Sequence, residues 1–187
     1  MDVNEAIPEY KRHTYSDYCS WDDDNRWELI DGVPYAMSAP SRSHQETSMQ
    51  FSRLIGNFLV GKPCKVYAAP FDVRLNADTS DDTVLQSDLI VVCDNAKLDS
   101  KSCVGAPDMV IEILSPSTKM RDMVLKFRRY LKAGVREYWI VDPDSKTVSV
   151  NLLKNGEYVA SAYGGEDGVP VHVLEGCTIN LSEVFAQ

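Results

Sequence analysis

The chain has 187 residues, 44% of them hydrophobic and 25% charged, and carries a formal net charge of −9. It is long enough for one domain with its own core, and the acidic balance argues against broad, non-specific adhesion to phosphate backbones. No apolar run approaches the ~20 residues of a membrane span, and the N-terminal MDVNEAIPEYKRH has no signal-peptide stretch, so a cytoplasmic protein with no membrane partner is expected.

In chain order, TYSDYCSW suggests a short helix starting near Tyr15 or Ser16. WELIDGVPYAMS predicts a hairpin about Asp31-Gly32, a strong turn signal. Ser41 or Ser43 can cap the next helix, whose residues Phe51, Leu54, Ile55, Phe58 and Leu59 form an apolar stripe at helical spacing and which Gly61 and Pro63 end. KVYAAPFDVRL, TVLQSDLIVVCD and DMVIEIL read as three strands, the last closed by Pro116 and Ser117. TKMRDMVLKFRRYLKAGV predicts a helix with Met123, Val124, Phe127, Tyr130 and Leu131 on one face and Gly134 at its end. EYWIVDP follows as a buried strand, KTVSVNLLKNGEYVASAY as a hairpin about Asn155-Gly156, and VPVHVLEGCTINLSEVF as a short strand with a last helical turn. Interleaved helices and strands, several strands being consecutive, give an α/β or α+β fold with a mixed sheet flanked by helices. Acidic runs at 21–25, 77–82 and 164–167 read as solvated loops. Cys19, Cys64, Cys93, Cys103 and Cys177 form no CxxC pair and no zinc spacing. They read as scattered thiols, mostly small core residues, in a reducing compartment.

Two carboxylates are out of place in this pattern. Glu112 sits in the middle of the apolar strand Met109 to Leu114, and Asp88 just before the apolar run Leu89 to Val92. An unpaired buried carboxylate costs several kcal/mol or takes up a proton. If the two strands are neighbours, Asp88 and Glu112 point into one space and repel unless a cation lies between them. Oxygen ligands without a His or Cys cluster suit Mg²⁺ or Mn²⁺. Lys126 lies about 100° from the centre of its helix's apolar stripe, at ~100° per residue, with Asp122 on the same edge and Lys119 there too if the helix starts early. Two roles are open to it: a surface pair with Asp122, or an ammonium that reaches over the sheet to the carboxylates. His44 lies on the face of Phe51, Ile55 and Phe58, and Glu28 faces opposite Trp27 and Leu29 on its hairpin.

The strings RWELIDGVPYAMSAPSRSHQ, APFDVRL, QSDLIVVCD, GAPDMVIEILSPST and KFRRYLKAGVREYWIVDP, in this order, resemble the Uma family of restriction-endonuclease-like nucleases. The resemblance runs from about Tyr15 to Phe185. It implies one restriction-endonuclease-like domain over 1–187, with a core at about 27–143 and a β-rich C-terminal extension at 144–187, and a central mixed sheet flanked by helices. The superfamily signature is Pro-Asp, then Glu-x-Lys on adjacent strands. The resemblance implies that Asp88 and Glu112 are metal ligands, with the main-chain carbonyl of Ile113 a further one, and that Glu28 and His44 belong to the rim of the site. Ser87 stands where the signature has Pro, and Leu114 where it has Lys. The lysine's role passes to Lys126, with Lys119 as a weaker substitute.

The expected activity is Mg²⁺- or Mn²⁺-dependent hydrolysis of phosphodiester bonds in DNA, RNA being chemically equivalent at such a site. The competing expectation is a nuclease fold kept as a binding or assembly module without catalysis, its carboxylates paired with Lys126, Arg121 or Arg128. By fold analogy a homodimer is expected, with the tail from Val148 to Val173 as a candidate surface.

Overall fold

The structure, a computed structural model, describes residues 11–115 and 121–186, and of Arg121 and Asp122 the backbone alone. Lys119, and the side chain of Asp122 expected beside Lys126, lie outside the described residues. Thr14 caps the short helix α1 (Tyr15–Tyr18) through a reciprocal bond with Asp17. β1 (Arg26–Ile30) and β2 (Val33–Met37) form the expected hairpin, with Asp31 and Gly32 both at positive φ as its tight turn requires. α2 (Arg42–Leu59) starts at the Ser41 cap and buries Thr47, Phe51, Ile55 and Leu59.

The next three strands of the sequence reading become five, and a sixth lies between them. KVYAAPFDVRL divides into β3 (Lys65–Ala68) and β4 (Asp72–Arg74), and TVLQSDLIVVCD into β5 (Val84–Leu85) and β6 (Leu89–Val92). β7 (Ser102–Val104), not foreseen in the sequence, precedes β8 (Met109–Ile113). The divisions have a topological cause. β3 and β6 belong to one sheet and β4 and β5 to another, so the chain changes sheet at Ala69–Phe71 and again at Gln86–Asp88.

A π-helical turn over Arg121–Lys126 leads into α3 (Phe127–Ala133), which Gly134 caps in the left-handed conformation. Here the expected buried face is corrected. Met123 and Val124 are 45% and 37% exposed, whereas Lys126 is 2% exposed. The wider π turn advances each residue through less than the α-helical ~100°. Residues before Lys126 are thus rotated off the line that Lys126 and Tyr130, one α turn apart, share toward the interior.

β9 (Glu137–Asp142) is followed by the hairpin β10 (Thr147–Lys154) and β11 (Glu157–Tyr163). The tail supplies two short strands rather than one, β12 (Gly168–Pro170) and β13 (Thr178–Asn180), before α4 (Leu181–Val184).

One mixed sheet has the order β11-β10-β9-β8-β6-β3, a second has β2-β1-β5-β4-β7, and β12 pairs with β13 alone. The larger sheet is covered on both faces. Alternation along β6 sends Leu89 and Val91 into a core with Phe51, Ile55, Trp139 and the tail residues Val169 and Leu181. Ile90 and Val92 enter a second core with Val110 and Tyr130, closed by Ile30, Val73 and Leu85 of the smaller sheet. The residues expected as a C-terminal extension therefore share the main core. The expectation of scattered thiols is corrected at one pair. Cys64 and Cys93 flank the paired strands β3 and β6 and are joined by a disulfide, since the register that pairs Lys65 with Val92 brings the two cysteines together. Cys103 and Cys177 are buried thiols and Cys19 is exposed. No helix among the described residues is long and apolar enough to cross a membrane.

Candidate active site

The site lies at the seam where the chain crosses between the sheets. β6 and β8 pair antiparallel, Leu89 opposite Ile111, so Asp88 and Glu112 fall one step beyond on neighbouring strands. Both are on the face of Ile90 and Val110, toward α3. Asp88 is anchored by the main-chain N–H of Ile113, which donates to its Oδ2 at 2.7 Å. His44, from the first turn of α2, meets the same oxygen through Nε2 at 3.2 Å. A carboxylate oxygen only accepts, so Nε2 carries the hydrogen in this pair.

Glu112 is 2% exposed and receives two donors on Oε1: Lys126 Nζ at 3.0 Å and the Tyr130 hydroxyl at 2.6 Å. Lys126 Nζ also lies 2.8 Å from Oε1 of Glu28, which accepts from the Gln86 main-chain N–H at 3.0 Å. Of the two roles open to Lys126, reaching the carboxylates is the one observed. Glu28 belongs to the floor of the site rather than its rim, fully buried beneath the ammonium. The face of β1 that the hairpin alone would leave to solvent is covered at Glu28 by the Lys126 side chain and the Gln86 main chain. The proline expected before Asp88 is replaced by a residue with a task, since Ser87 is buried with its hydroxyl 2.7 Å from that of Tyr130. Tyr130 donates to Glu112, so Ser87 donates to Tyr130. Burial and the adjacent Glu112 charge raise the Tyr130 pKa well above that of a free phenol, which keeps it a donor. Leu114, at the signature lysine position, bonds β9 through its main chain, Leu114 N–H to the Val141 carbonyl at 2.8 Å.

These groups line or underlie one cavity of about 450 Å³. Asp88, Glu112, Ile113 and Lys126 form its inner wall, His44 and Ser41 the helix side, and Arg26 and Gln86 the side of the smaller sheet. The sequence reading missed Tyr130, Ser87, Gln86 and Arg26. Tyr130 was counted in the apolar stripe, although its place one helical turn after Lys126 puts both on one line. Gln86 and Ser87 carried a signal of their own, two polar residues in an otherwise apolar run.

Whether a divalent ion suits these residues follows from their chemistry. Three carboxylates, Asp88, Glu112 and Glu28, are set against the Lys126 ammonium and the His44 imidazole, so the ionised site is net negative in either protonation state of His44. The available donors are hard oxygens. Among the described residues no group of three or more His, Cys, Asp or Glu is placed to hold a metal ion by itself. Mg²⁺ needs only one or two carboxylates and completes its shell with water and substrate oxygens, and Asp88 and Glu112 on one cavity wall offer that many. The residues present fit such an ion.

Comparison with known proteins bears on the fold and the family. The crystal structure of a "putative nuclease belonging to DUF820" from Anabaena variabilis matches with a TM-score of 0.76 over 92% of this chain and 97% of that one, at 18% identity, a likeness of fold. The uncharacterized protein slr1290 of Synechocystis sp. is 31% identical over 157 residues, 81% of this chain and 80% of that protein. The family model Uma2, described as "Putative restriction endonuclease", matches residues 13–182 and so includes Glu28, His44, Asp88, Glu112 and Lys126. With nearly its whole length matched by that model, the chain belongs to the Uma2 family.

Proposed function

We propose that the protein is a Mg²⁺- or Mn²⁺-dependent endonuclease that hydrolyses phosphodiester bonds in DNA. The observation that carries this reading is the convergence of Asp88 and Glu112 on one cavity, with the Lys126 ammonium 3.0 Å from Glu112. Asp88, Glu112 and the main-chain carbonyl of Ile113 would hold the ion. When bound, the ion supplies Lewis-acid polarisation of a phosphoryl oxygen and a bound water of lowered pKa.

The chain's own residues do the positioning. Ile113 N–H and His44 hold the Asp88 carboxylate at the cavity wall. Tyr130 and Lys126 fix one oxygen of Glu112. Lys126, braced by Glu28, presents a fixed positive charge where negative charge develops on the phosphate, a preorganised arrangement that needs no rearrangement during reaction.

A second reading, a nuclease fold without catalysis, is favoured by the pairing of Lys126 with two buried carboxylates at 2.8 and 3.0 Å, the form of a structural ion-pair network. One experiment separates the two. Plasmid and linear duplex are incubated with Mg²⁺ or Mn²⁺ and the parent protein, Asp88→Ala or Glu112→Ala. The nuclease reading predicts metal-dependent nicking by the parent, with each variant down by at least about 100-fold, the upper end of what a lost supporting group costs a metal site. Equal cleavage by all three, or none by the parent under any divalent ion, would sink it.

A further inference from the structure

Two Lys or Arg side chains line the cavity, and their charges are used differently. Lys126 is held between two buried carboxylates, Glu28 and Glu112. Arg26 is held by a neutral group: its Nε and Nη2 donate to the amide oxygen of Gln86 at 3.1 and 2.6 Å. No carboxylate of the described residues pairs with Arg26. Elsewhere Arg42, Arg53, Arg74, Arg129 and Arg136 each meet an Asp or Glu. Arg26 differs from these five in lining the cavity while docked on a neutral amide.

The Gln86 amide is itself fixed. Its Nε2 donates to Asp72 Oδ1 at 3.1 Å and to the Tyr18 hydroxyl at 3.0 Å, and Tyr18 donates to the same Asp72 oxygen at 3.0 Å. Asp72 can only accept when ionised, so it selects the amide orientation that aims the Gln86 oxygen at Arg26. Gln86 is nearly buried, so the arm is rigid. The Nε–Nη2 edge of the guanidinium docks on Gln86, which leaves Nη1 outside that bond in a side chain that lines the cavity. Arginine in this state suits the planar, two-point recognition of a phosphate.

We propose that Arg26 is a substrate-phosphate contact, presented by the Asp72–Gln86 arm to a DNA phosphate next to the one that meets Asp88 and Glu112. This rests on the nuclease reading and adds to it a residue that binds the backbone without touching the proposed metal ligands. The acidic chain then engages DNA through few local contacts rather than a broad basic face.

The test is the anisotropy of a labelled DNA duplex titrated with protein in Ca²⁺, at several salt concentrations, beside Mn²⁺ binding measured by calorimetry. Arg26→Ala is expected to weaken DNA binding roughly 10-fold and to make the slope of log affinity against log salt shallower by about 1, with Mn²⁺ affinity unchanged. Gln86→Met keeps the charge but loses the arm. It is expected to keep the parent's salt slope and raise KM more than it lowers kcat. Parent-like DNA affinity and slope in Arg26→Ala would overturn the proposal, as would an Arg26→Ala loss confined to Mn²⁺ binding. If the parent binds DNA but never cleaves it, the nuclease reading fails and the phosphate contact stands. If the parent binds no DNA, both fail.

Discussion

Lys126 shows how one side chain can serve both the fold and the site. Its ammonium sits between the buried Glu28 and Glu112, so a neutral replacement strands two carboxylates out of water. Lys126→Met is expected to cost about 3–5 kcal/mol, measured by denaturant titration without divalent ions; a loss below about 1 kcal/mol would show that the network is solvated and weak. Much at this scale was legible in the sequence. Glu112 and Asp88 stood out because apolar strands do not keep a charge without a partner. The depth of Glu28 was not legible, because alternation along β1 assigns its face but not what covers that face. Tyr130 was hidden by its ring, which packs as a core residue does while its hydroxyl reaches Glu112 and Ser87.

At the scale of elements, α2 is where local sequence and site meet. Ser41 Oγ accepts from the His44 N–H at 3.2 Å, and His44 in turn reaches Asp88, so the cap sets the first turn that delivers the histidine. Ser41→Ala is expected to cost about 1 kcal/mol, checked by urea unfolding, and to lower cleavage further by loosening His44. An unchanged unfolding midpoint would show that water replaces the cap. The α2 stripe and both tight turns were legible because their signals are local. The break at Ala69–Phe71 was not, since apolar residues continue across it and only the change of sheet separates the strands, and at Gln86–Asp88 the polar residues marked a special place without showing that the chain changes sheet there. The π turn escaped for a related reason. Its sequence suits an α-helix, and the burial of Lys126 against Glu28 and Glu112 fixes a different register.

At the scale of the whole molecule, a sheet with two covered faces makes a deep polar site affordable. Phe51 stacks edge-on against Trp139 on one face, and Tyr130 packs with Tyr138 on the other. The strand ends that carry Asp88 and Glu112 are thus held between two cores. The fold class was legible from the order of elements. The sharing of the main core by residues after 144 was not, because short strands such as β12 and β13 carry little periodicity and find their place only against α2 and β9. The central claim is that the seam between the sheets binds a divalent ion through Asp88 and Glu112. Anomalous diffraction from Mn²⁺-soaked crystals tests it most directly. The account predicts a manganese peak in contact with one carboxylate oxygen from each residue, lost in Asp88→Ala; a featureless map at the seam under saturating Mn²⁺, or a peak held by other residues, would contradict it.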